Sequence, residues 1–211
     1  MAEYHVFPKY DVKLSLPKEV YFPSDDSFLM LDNIELPPNS KIVLEIGGGS
    51  GIISISLAKK HPEVNFIVTD ISYQATETIL LNHRLNNLCN PFDIICANKL
   101  QSFHKVSPDV IIWNPPYLPS DATSDALSSI EKNMFIGGKK GSEEAYDLIA
   151  KINESNISTV FYTIFSSLGW NKIFVSQLEN ETCKVEIIKK TKLFFEELYL
   201  VRMIIGDKND K

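Results

Sequence analysis

Short apolar runs alternate with amphipathic segments along most of the chain, and this alternation predicts its secondary structure. Five apolar, β-branched runs predict buried strands, at 41–46, 65–71, 92–97, 109–113 and 159–165. Intervening segments predict helices at 52–60, 72–86 and 171–178, and a further helix with an acidic first turn that ends near residue 155. Two β-rich runs at 184–192 and 198–205 predict a closing antiparallel pair. Strands that alternate with helices in this way favour an α/β fold, with a mostly parallel sheet covered by helices on both faces.

One stretch, residues 118–141, lacks clear apolar periodicity and predicts a long loop. Loops of that length inside a compact domain are usually functional. We expect a single domain over 19–206, preceded by an N-terminal extension over 1–18 and followed by a polar tail over 207–211.

Charge and composition narrow the choice of function. The 211 residues carry a net charge of −6, which argues mildly against a large nucleic-acid interface, because such interfaces usually show a basic patch. The three cysteines and four histidines show no ligand spacing, so we expect no metal site from this chain alone. No apolar run approaches the roughly 20 residues that span a bilayer, and the first residues lack a signal-peptide pattern. We therefore expect a cytoplasmic or nuclear protein.

A glycine-rich loop at 47–51 follows the first predicted strand and precedes its helix. Glycines there let a ligand approach the backbone and the helix N-terminus closely. The spacing differs from the G-x-G-x-x-G of dinucleotide binders, and the preceding Glu45 suits a cationic or zwitterionic ligand better than a diphosphate. Asp70 ends the second predicted strand, where a carboxylate can accept both hydroxyls of a ribose. Asn98 lies just past the third strand, where an adenine edge would sit.

The fourth predicted strand ends at Asn114-Pro115-Pro116-Tyr117. The two prolines fix their φ angles near −65° and donate no N–H, so the turn is stiff. The Asn114 side-chain oxygen can accept one N–H, and the Pro115 carbonyl can accept another. Tyr117 adds a flat face for stacking. These four residues are therefore candidates for holding the planar NH2 group of an amide or of an exocyclic amine.

These features together resemble the class I S-adenosylmethionine-dependent methyltransferases, and more closely the HemK-type protein-glutamine N5-methyltransferases in their eukaryotic and archaeal form. Four segments carry the resemblance across about residues 19–205: V-Y-F-P-S-D-D-S-F-L-M-L at 20–31, L-E-I-G-G-G-S-G at 44–51, N-P-P-Y at 114–117, and the glycines at 137, 138 and 141. The resemblance implies a Rossmann-like, seven-stranded sheet with an antiparallel C-terminal strand pair. It also implies S-adenosylmethionine as the cofactor and S-adenosylhomocysteine as its product.

The resemblance implies roles for residues in the first two motifs. Ser27 should contact the methionine part of the cofactor, and the alternative is a surface hydroxyl in the first turn of a helix. Asp26 occupies the family's acidic position and is preferred to Asp25, although either carboxylate suits a helix N-terminus. The residues Glu45, Gly47 and Gly49 should line the same cofactor site.

It also implies roles for residues at the ends of the later strands. Asp70 should hold the ribose of the cofactor. Asn98 stands where many relatives have Asp, and its amide oxygen can still accept from adenine N6. Asn114 should bind the substrate amide together with Pro115, and it also counts among the residues near the cofactor. Pro116 completes the turn, and Tyr117 should lie beside the substrate amide.

A substrate and a partner follow from the same resemblance. The substrate would be the glutamine of the Gly-Gly-Gln loop in the class-1 translation termination factor. The partner would be a small zinc-binding activator protein, so that the active species is a heterodimer. The strand from Phe92 to Ala97 is the expected sheet edge, and its apolar residues suit pairing with another chain. The alternative is that the N-terminal residues of this chain cover that edge.

Three other functions stay open on the sequence. An adenine-N6 methyltransferase acting on DNA or RNA could hold a flipped base in the same turn, although the acidic net charge argues against it. Methylation of protein lysines is a further activity ascribed to eukaryotic relatives. A catalytically silent binding module could retain the fold, although the intact glycine loop and Asn-Pro-Pro-Tyr turn argue against it.

Overall fold

A computed structural model describes residues 4–100, 107–121, 124–155, 157–170, 172, 175–176 and 183–206. The helices named within that part of the chain are α1 (Asp25–Asn33), α2 (Ile52–Lys60), α3 (Tyr73–Leu85), α4 (Ser129–Phe135) and α5 (Glu143–Glu154). The strands are β1 (His5–Phe7), β2 (Val12–Leu14), β3 (Ile42–Ile46), β4 (Asn65–Asp70), β5 (Phe92–Cys96), β6 (Val110–Trp113), β7 (Thr159–Ser166), β8 (Cys183–Lys192) and β9 (Glu197–Ile205). Single 3-10 turns lie at Pro8–Tyr10 and Ser124–Ala126.

The predicted α/β fold with a seven-stranded sheet is confirmed. The strand order is β5-β4-β3-β6-β7-β9-β8, and β1 and β2 form a separate antiparallel pair. β3 pairs in parallel with β4 and with β6, and β4 pairs in parallel with β5. β9 pairs in antiparallel fashion with β7 and with β8, as expected for the C-terminal pair. The chain groups into two compact units, Met1–Trp113 and Asn114–Lys211, and the expectation of one domain over 19–206 stays a prediction.

The central parallel strands of the first unit, β3 and β6, are built from residues that are almost all buried, whereas the edge strand β5 has none. β6 is buried along its whole length, and the first seven residues of α2 are buried as well, as expected where helices cover a parallel sheet. The register places Ile46 at the end of β3 opposite Thr69 of β4 and Trp113 of β6. The segments that follow these strands therefore begin at the same edge of the sheet, which is where open α/β sheets bind ligands.

The strand pair β1–β2 was not predicted from the sequence, which suggested only an N-terminal extension. β2 buries Val12 and Leu14 and packs against α2 and α3. At three residues each, the two strands are too short to show a reliable alternation of apolar and polar positions.

Two asparagines hold β2 in place, Asn82 on α3 and Asn86, which follows the last residue of that helix. The amide N–H of Ser15 donates to Asn82 Oδ1 at 2.7 Å, and Asn82 Nδ2 donates to the Ser15 carbonyl at 3.1 Å. Asn86 makes the same pair of bonds with the backbone of Lys13, at 3.0 and 2.8 Å. Each carboxamide thus presents one acceptor and one donor, as a neighbouring strand would. Asn82 Nδ2 also donates to the carbonyl of Ser50, in the glycine loop, at 2.9 Å.

The elements named within the described part of the second unit are β7, β8, β9, α4 and α5. The side chains that α5 buries lie at helical spacing: Ala145, Leu148, Ile149 and Ile152. β8 and β9 are the predicted closing pair, with a register shift between Ile187 and Lys189. The predicted helix at 171–178 lies largely outside the described residues, and the tail at 207–211 lies entirely outside them.

The prediction that 118–141 is one long loop is wrong, because α4 lies within it. Ser128 and Glu131 form a capping box at the start of α4, in which Glu131 N donates to Ser128 Oγ at 3.2 Å and Ser128 N donates to Glu131 Oε2 at 2.9 Å. None of the α4 residues is buried, so the helix has no apolar periodicity to reveal it. Within the described ranges, no helix is both long and apolar enough to cross a bilayer.

Candidate active site

The glycine loop of the first unit turns sharply between β3 and α2. Gly47 and Gly49 have φ angles of 64° and 56°, a left-handed conformation that other residues adopt only with strain. A Cβ on Gly47 would lie 3.3 Å from Trp113 Nε1, whereas the nearest atom to a Cβ on Gly49 would be Tyr21 Cβ at 3.7 Å. The loop is therefore closely packed at Gly47 and less crowded at Gly49, as a loop that admits a ligand to its backbone should be.

Asp70, at the end of β4, fixes this loop. Its Oδ2 accepts the N–H of Gly49 at 2.9 Å, and its Oδ1 accepts the N–H of Ser72 at 2.8 Å. Burial raises the pKa of Asp70, and the hydrogen bonds from Ser72 and Gly49 oppose that rise. A carboxylate offers about four acceptor positions, so Asp70 retains capacity for further donors such as ribose hydroxyls. Its role in ribose binding stays a prediction.

Glu45, on β3, is 2% exposed and binds the first turn of α2. Its Oε2 accepts the backbone N–H of Ser54 at 3.0 Å and also the Ser54 hydroxyl. Burial raises the pKa of Glu45 to about 8, with a smaller contribution from the charge of Asp70, while the bonds from Ser54 lower it. The sequence did not predict this link to α2, and direct contact between Glu45 and the cofactor stays a prediction.

The start of α1 contains a buried acid–hydroxyl cluster. Asp26 and Ser27 are both buried, whereas Asp25 is exposed, so the surface-hydroxyl alternative for Ser27 is wrong. Asp26 Oδ2 accepts the Tyr21 hydroxyl at 2.8 Å, and Asp26 Oδ1 accepts the N–H and the hydroxyl of Ser27 at 2.5 and 3.1 Å. Burial, and then the negative charge of Asp26, raise the pKa of Tyr21 well above its usual value. Tyr21 thus orients Asp26, a role that sequence reasoning missed.

Asn98 lies in a bend two residues after β5 and is exposed. The next residue, Lys99, has a left-handed φ of 50°, and its ammonium lies 5.2 Å from the centre of the Trp113 ring. Because Asn98 is exposed, its carboxamide is accessible to a ligand. A contact with adenine at Asn98 stays a prediction.

In the second unit, the Asn-Pro-Pro-Tyr turn begins with an unsatisfied acceptor. The side-chain oxygen of Asn114 is buried and has no hydrogen-bond partner within the described part of the chain. Pro115 is buried, and Pro116 and Tyr117 are half-buried. A buried carbonyl oxygen without a donor costs about 1–3 kcal/mol, and such groups in native structures usually have a functional reason. Asn114 Oδ1 therefore has room for one N–H donor, and its role in binding the acceptor amide stays a prediction, as do the roles of Pro115, Pro116 and Tyr117.

A second turn, Gly137 to Gly141, supports the backbone of the tetrapeptide. Leu118 N donates to the Phe135 carbonyl at 2.8 Å, and Gly137 N donates back to the Leu118 carbonyl at 3.0 Å. A Cβ on Gly137 would lie 2.3 Å from the Pro116 carbonyl oxygen, and one on Gly141 would lie 2.2 Å from that of Tyr117. No side chain fits at either position. The sequence showed these glycines as a motif. It did not show their packing on the tetrapeptide, because that packing joins segments about twenty residues apart.

Comparisons with known proteins agree with this geometry. Residues 25–140 match the family model described as methyltransferase small domain. The chain is 36% identical over 193 residues to a Methanocaldococcus jannaschii protein whose name assigns it provisionally to the protein N5-glutamine methyltransferases, and the alignment covers 90% of this chain and 94% of that protein. It is 27% identical over 179 residues to the release factor glutamine methyltransferase of Aquifex aeolicus, covering 82% of this chain but 63% of that longer protein.

A solved structure shows the same fold. It is the Mtq2–Trm112 complex of E. cuniculi, described as responsible for methylation of the eRF1 translation termination factor. The TM-score is 0.66 at 23% identity, with 89% of this chain and 99% of that chain covered. The family model matches more than half of the chain, and the archaeal relative aligns along nearly all of it. The chain therefore belongs to the methyltransferase small domain family, among the HemK-type protein N5-glutamine methyltransferases.

Proposed function

We propose that this protein transfers a methyl group from S-adenosylmethionine to the side-chain amide nitrogen of a glutamine in another protein. The acceptor is the Gly-Gly-Gln loop of a class-1 translation termination factor. The observation that carries the proposal is the buried side-chain oxygen of Asn114, at the start of the Asn-Pro-Pro-Tyr turn, which accepts no hydrogen bond from any residue that the structure describes. Family membership supports the reaction class, and the names of the Aquifex aeolicus relative and the E. cuniculi complex support the acceptor.

The residues of the first unit fit the proposed cofactor. S-adenosylmethionine is a zwitterion with an additional sulfonium charge and, when bound, supplies an activated methyl group. The buried carboxyl groups of Asp26 and Glu45 and the N-terminus of α2 suit its ammonium, sulfonium and carboxylate groups. Asp70 holds the ribose hydroxyls with the acceptor capacity that Gly49 and Ser72 leave free, and Gly47 and Gly49 admit the ligand to the loop backbone. Ser27 and Asn98 complete the set as contacts to the methionine and adenine parts.

The tetrapeptide orients the acceptor amide. The nitrogen of a glutamine amide is a weak nucleophile because its lone pair is delocalised, so orientation contributes more than proton transfer. Asn114 Oδ1 and the Pro115 carbonyl each accept one N–H of the amide, which directs the nitrogen and stabilises the positive charge that develops on it. Pro116 keeps the turn stiff, and Tyr117 packs beside the amide plane. No strong base is required, since the proton can leave after methyl transfer.

A labelling experiment tests the reaction and the acceptor together. The chain is incubated with radiolabelled S-adenosylmethionine and a termination factor whose loop is either Gly-Gly-Gln or Gly-Gly-Ala. We expect label in the glutamine form and none in the alanine form. Label in both forms would place the methyl group elsewhere on the protein, for example on lysine. Label in added DNA or RNA instead would favour adenine-N6 methylation, and no label despite cofactor binding would favour a silent binding module.

We also propose that a small zinc-binding activator protein pairs with β5. Among the described strands, β5 stands at the end of the sheet order and pairs with β4. The N-terminal strand β2 packs instead on α2 and α3, which argues against a cover of β5 by the described N-terminal residues. An apolar surface adjoins the strand: Ile71 and Tyr73 are 58% and 68% exposed, and the Ile71 carbonyl accepts the Cys96 thiol of β5. An unpaired strand beside exposed apolar side chains is a site for strand addition.

Co-expression tests the partner. We expect the chain to purify as a one-to-one complex with the activator and to show higher solubility and cofactor affinity than the chain alone. Tyr73→Asp should weaken the complex, whereas Val6→Asp, at an exposed apolar residue of β1, should not. A stable monomer with full cofactor affinity and full activity would exclude an obligate partner.

A further inference from the structure

Two phenylalanines lie almost fully exposed at the connection between β8 and β9. Phe194 is 94% exposed and Phe195 is 88% exposed. Leu193 N donates to the Glu196 carbonyl at 2.8 Å, so the two phenylalanines form the loop of a tight hairpin. Their rings contact each other edge to face, with centroids 5.2 Å apart. At these exposures neither ring contributes appreciably to the packing of the fold.

The hairpin itself gives no reason for two aromatic residues. Two-residue hairpin loops favour Gly, Asn, Asp and Ser, which suit the backbone of the turn and keep it solvated. Single exposed apolar residues are common on protein surfaces, but adjacent exposed aromatics form a patch of the kind that marks an interaction site. Aromatic residues of this type also supply a large share of the binding energy in protein interfaces.

A continuous series of contacts within the second unit connects the hairpin to the Asn-Pro-Pro-Tyr turn. Beside the hairpin, Ser167 N donates to the Glu197 carbonyl at 2.8 Å, and Glu197 N donates to Ser167 Oγ at 3.0 Å. Ser167 precedes Leu168, a third exposed apolar residue at 55%, and then Gly169. A Cβ on Gly169 would lie 2.8 Å from the Lys140 carbonyl oxygen.

Lys140 belongs to the turn that supports the tetrapeptide, so the series ends at the residues that bind the acceptor amide. Among the described residues, the series passes through the 137–141 turn, the 167–169 turn and the first residue of β9. These short links place Leu168 and the hairpin within reach of a protein whose loop occupies the tetrapeptide.

Charge distinguishes between partners of different chemistry. Near the hairpin, residues 189–197 contain three lysines, at 189, 190 and 192, and two glutamates, at 196 and 197, which leaves an excess of one positive charge. Near the 137–141 turn, the lysines 139 and 140 are matched by the glutamates 143 and 144. Binding of a nucleic acid or of an anionic membrane needs a larger excess of positive charge to neutralise several phosphates. Exposed aromatic rings beside a single excess charge fit an apolar patch on a protein.

We infer that Phe194, Phe195 and Leu168 form a docking surface for the methyl-acceptor protein, contacting an apolar patch of that protein outside the loop that carries its glutamine. This inference rests on the proposed function, because it names where the acceptor binds beyond the tetrapeptide. Docking at a second place raises the affinity for the whole acceptor protein without changing the chemistry at the amide.

Steady-state methylation by the chain in complex with its activator tests the inference. The variant is Phe194→Ser/Phe195→Ser, and the matched control is Val6→Ser, which removes an apolar side chain that is 64% exposed on β1. Two acceptors are compared: the full-length termination factor and a short peptide that contains only its Gly-Gly-Gln loop. We expect the double variant to raise the KM for the full-length factor by about tenfold or more, as loss of interface hot spots does. Its kcat with that factor, its kinetics with the peptide and its cofactor affinity should match the wild type, and Val6→Ser should match the wild type throughout.

The alternatives give different outcomes. If the wild type labels neither acceptor, the proposed function itself fails. If the wild type labels the full-length factor and the double variant does so with an unchanged KM, the docking surface is wrong while the function stands. Equal loss on the factor and on the peptide would show a structural defect and would also overturn the inference. Two further outcomes would assign the phenylalanines to a different partner. One is salt-sensitive binding of single-stranded RNA by the wild type that the double variant loses. The other is a wild-type dimer in sedimentation that is monomeric in the double variant.

Discussion

The acidic residues of the first unit and the Asn-Pro-Pro-Tyr turn of the second use hydrogen bonds in opposite ways. Asp26, Glu45 and Asp70 each accept hydrogen bonds from neighbouring groups of the protein. Asn114 Oδ1 is buried without such a donor within the described residues. The acids are therefore held in position by the fold, whereas Asn114 carries an energetic cost that a bound amide would remove. The first arrangement favours stability, and the second lowers stability in exchange for an acceptor that the proposed function uses.

Replacing Asn114 by Ala tests this difference between the two units and should have the largest effect on activity. We expect kcat/KM to fall by about 100-fold or more, because an acceptor for the developing charge is lost. The free energy of unfolding should stay the same or rise, since an unpaired buried oxygen is removed. Methylation kinetics and chemical denaturation of the same preparation measure the two effects. Asn133→Ala, at an exposed position of α4, is the matched control and should change neither quantity. A loss of stability in Asn114→Ala would show that Asn114 Oδ1 has a hydrogen-bond donor in the folded protein.

Gly141→Ala tests whether the 137–141 turn supports the tetrapeptide in addition to stabilising the fold. Gly141 has a φ of 85°, and its added Cβ would meet the Tyr117 carbonyl oxygen, so we expect a destabilisation of about 1–3 kcal/mol. Gly206→Ala offers a matched strain, with a φ of 97° and a Cβ 2.6 Å from Ser158 Cα. Both variants should lower the midpoint of thermal unfolding. At a temperature where both variants are folded, only Gly141→Ala should also reduce the turnover per folded molecule. Equal turnover in the two variants would argue against a supporting role for the 137–141 turn.

Asp70→Asn should weaken cofactor binding by about tenfold or more, the typical loss for a hydrogen bond to a charged acceptor. The substitution preserves the size of the side chain, but it replaces one of the two acceptor oxygens by an NH2 donor that faces the N–H of Gly49 or of Ser72. Calorimetric titration with S-adenosylhomocysteine measures the change. Asp93→Asn, at an exposed site of β5, is the control and should bind as the wild type does. Unchanged affinity in Asp70→Asn would remove this residue from the cofactor site.

Glu45 should make the free energy of unfolding depend on pH. Its pKa in the folded state is raised from 4.5 to about 8, so the folded state binds an additional proton between these values. The resulting stabilisation is fully present below about pH 4.5 and is lost as the pH rises through 8, which should lower the free energy of unfolding by about 1–3 kcal/mol across that range. Asp70 acts in the same direction, and His83, whose pKa is lowered by burial, acts in the opposite direction. Chemical denaturation of wild type and Glu45→Gln at pH 5 and pH 8 isolates the contribution, and parallel curves for the two proteins would show that Glu45 does not titrate in this interval.

The sequence predicted the sheet well because its strands carry the signal in their own residues. β3, β6 and β7 are apolar runs bounded by glycine or polar residues, and their predicted bounds differ from the observed ones by one residue. The features that were missed depend on other segments of the chain. The pair β1–β2 is held by asparagines about seventy residues away, and α4 has no buried face.

The candidate site residues were proposed from the same kind of local signal, and their roles stay predictions. The glycine loop, Asp70 and the tetrapeptide were visible because each follows a strand. The bond of Glu45 to Ser54, the bond of Tyr21 to Asp26 and the packing of Gly141 on Tyr117 were not, since a sequence does not show which side chains meet across a fold. The unpaired oxygen of Asn114 is likewise a property of its surroundings rather than of the motif.

The shared carboxamide of Asn82 has a consequence for the unfolding of the first unit. One side chain bonds both to the backbone of Ser15 and to the carbonyl of Ser50 in the glycine loop. Opening of β2 would release a donor and an acceptor of Asn82 together, and the carboxamide that bonds to the loop would no longer be held in its orientation by Ser15. The amide protons of Lys13 and Ser15 should therefore exchange with solvent in the same cooperative event as those of the loop. A ligand that slows exchange in the loop should slow it by a similar factor at Lys13 and Ser15, although neither residue is proposed to touch it.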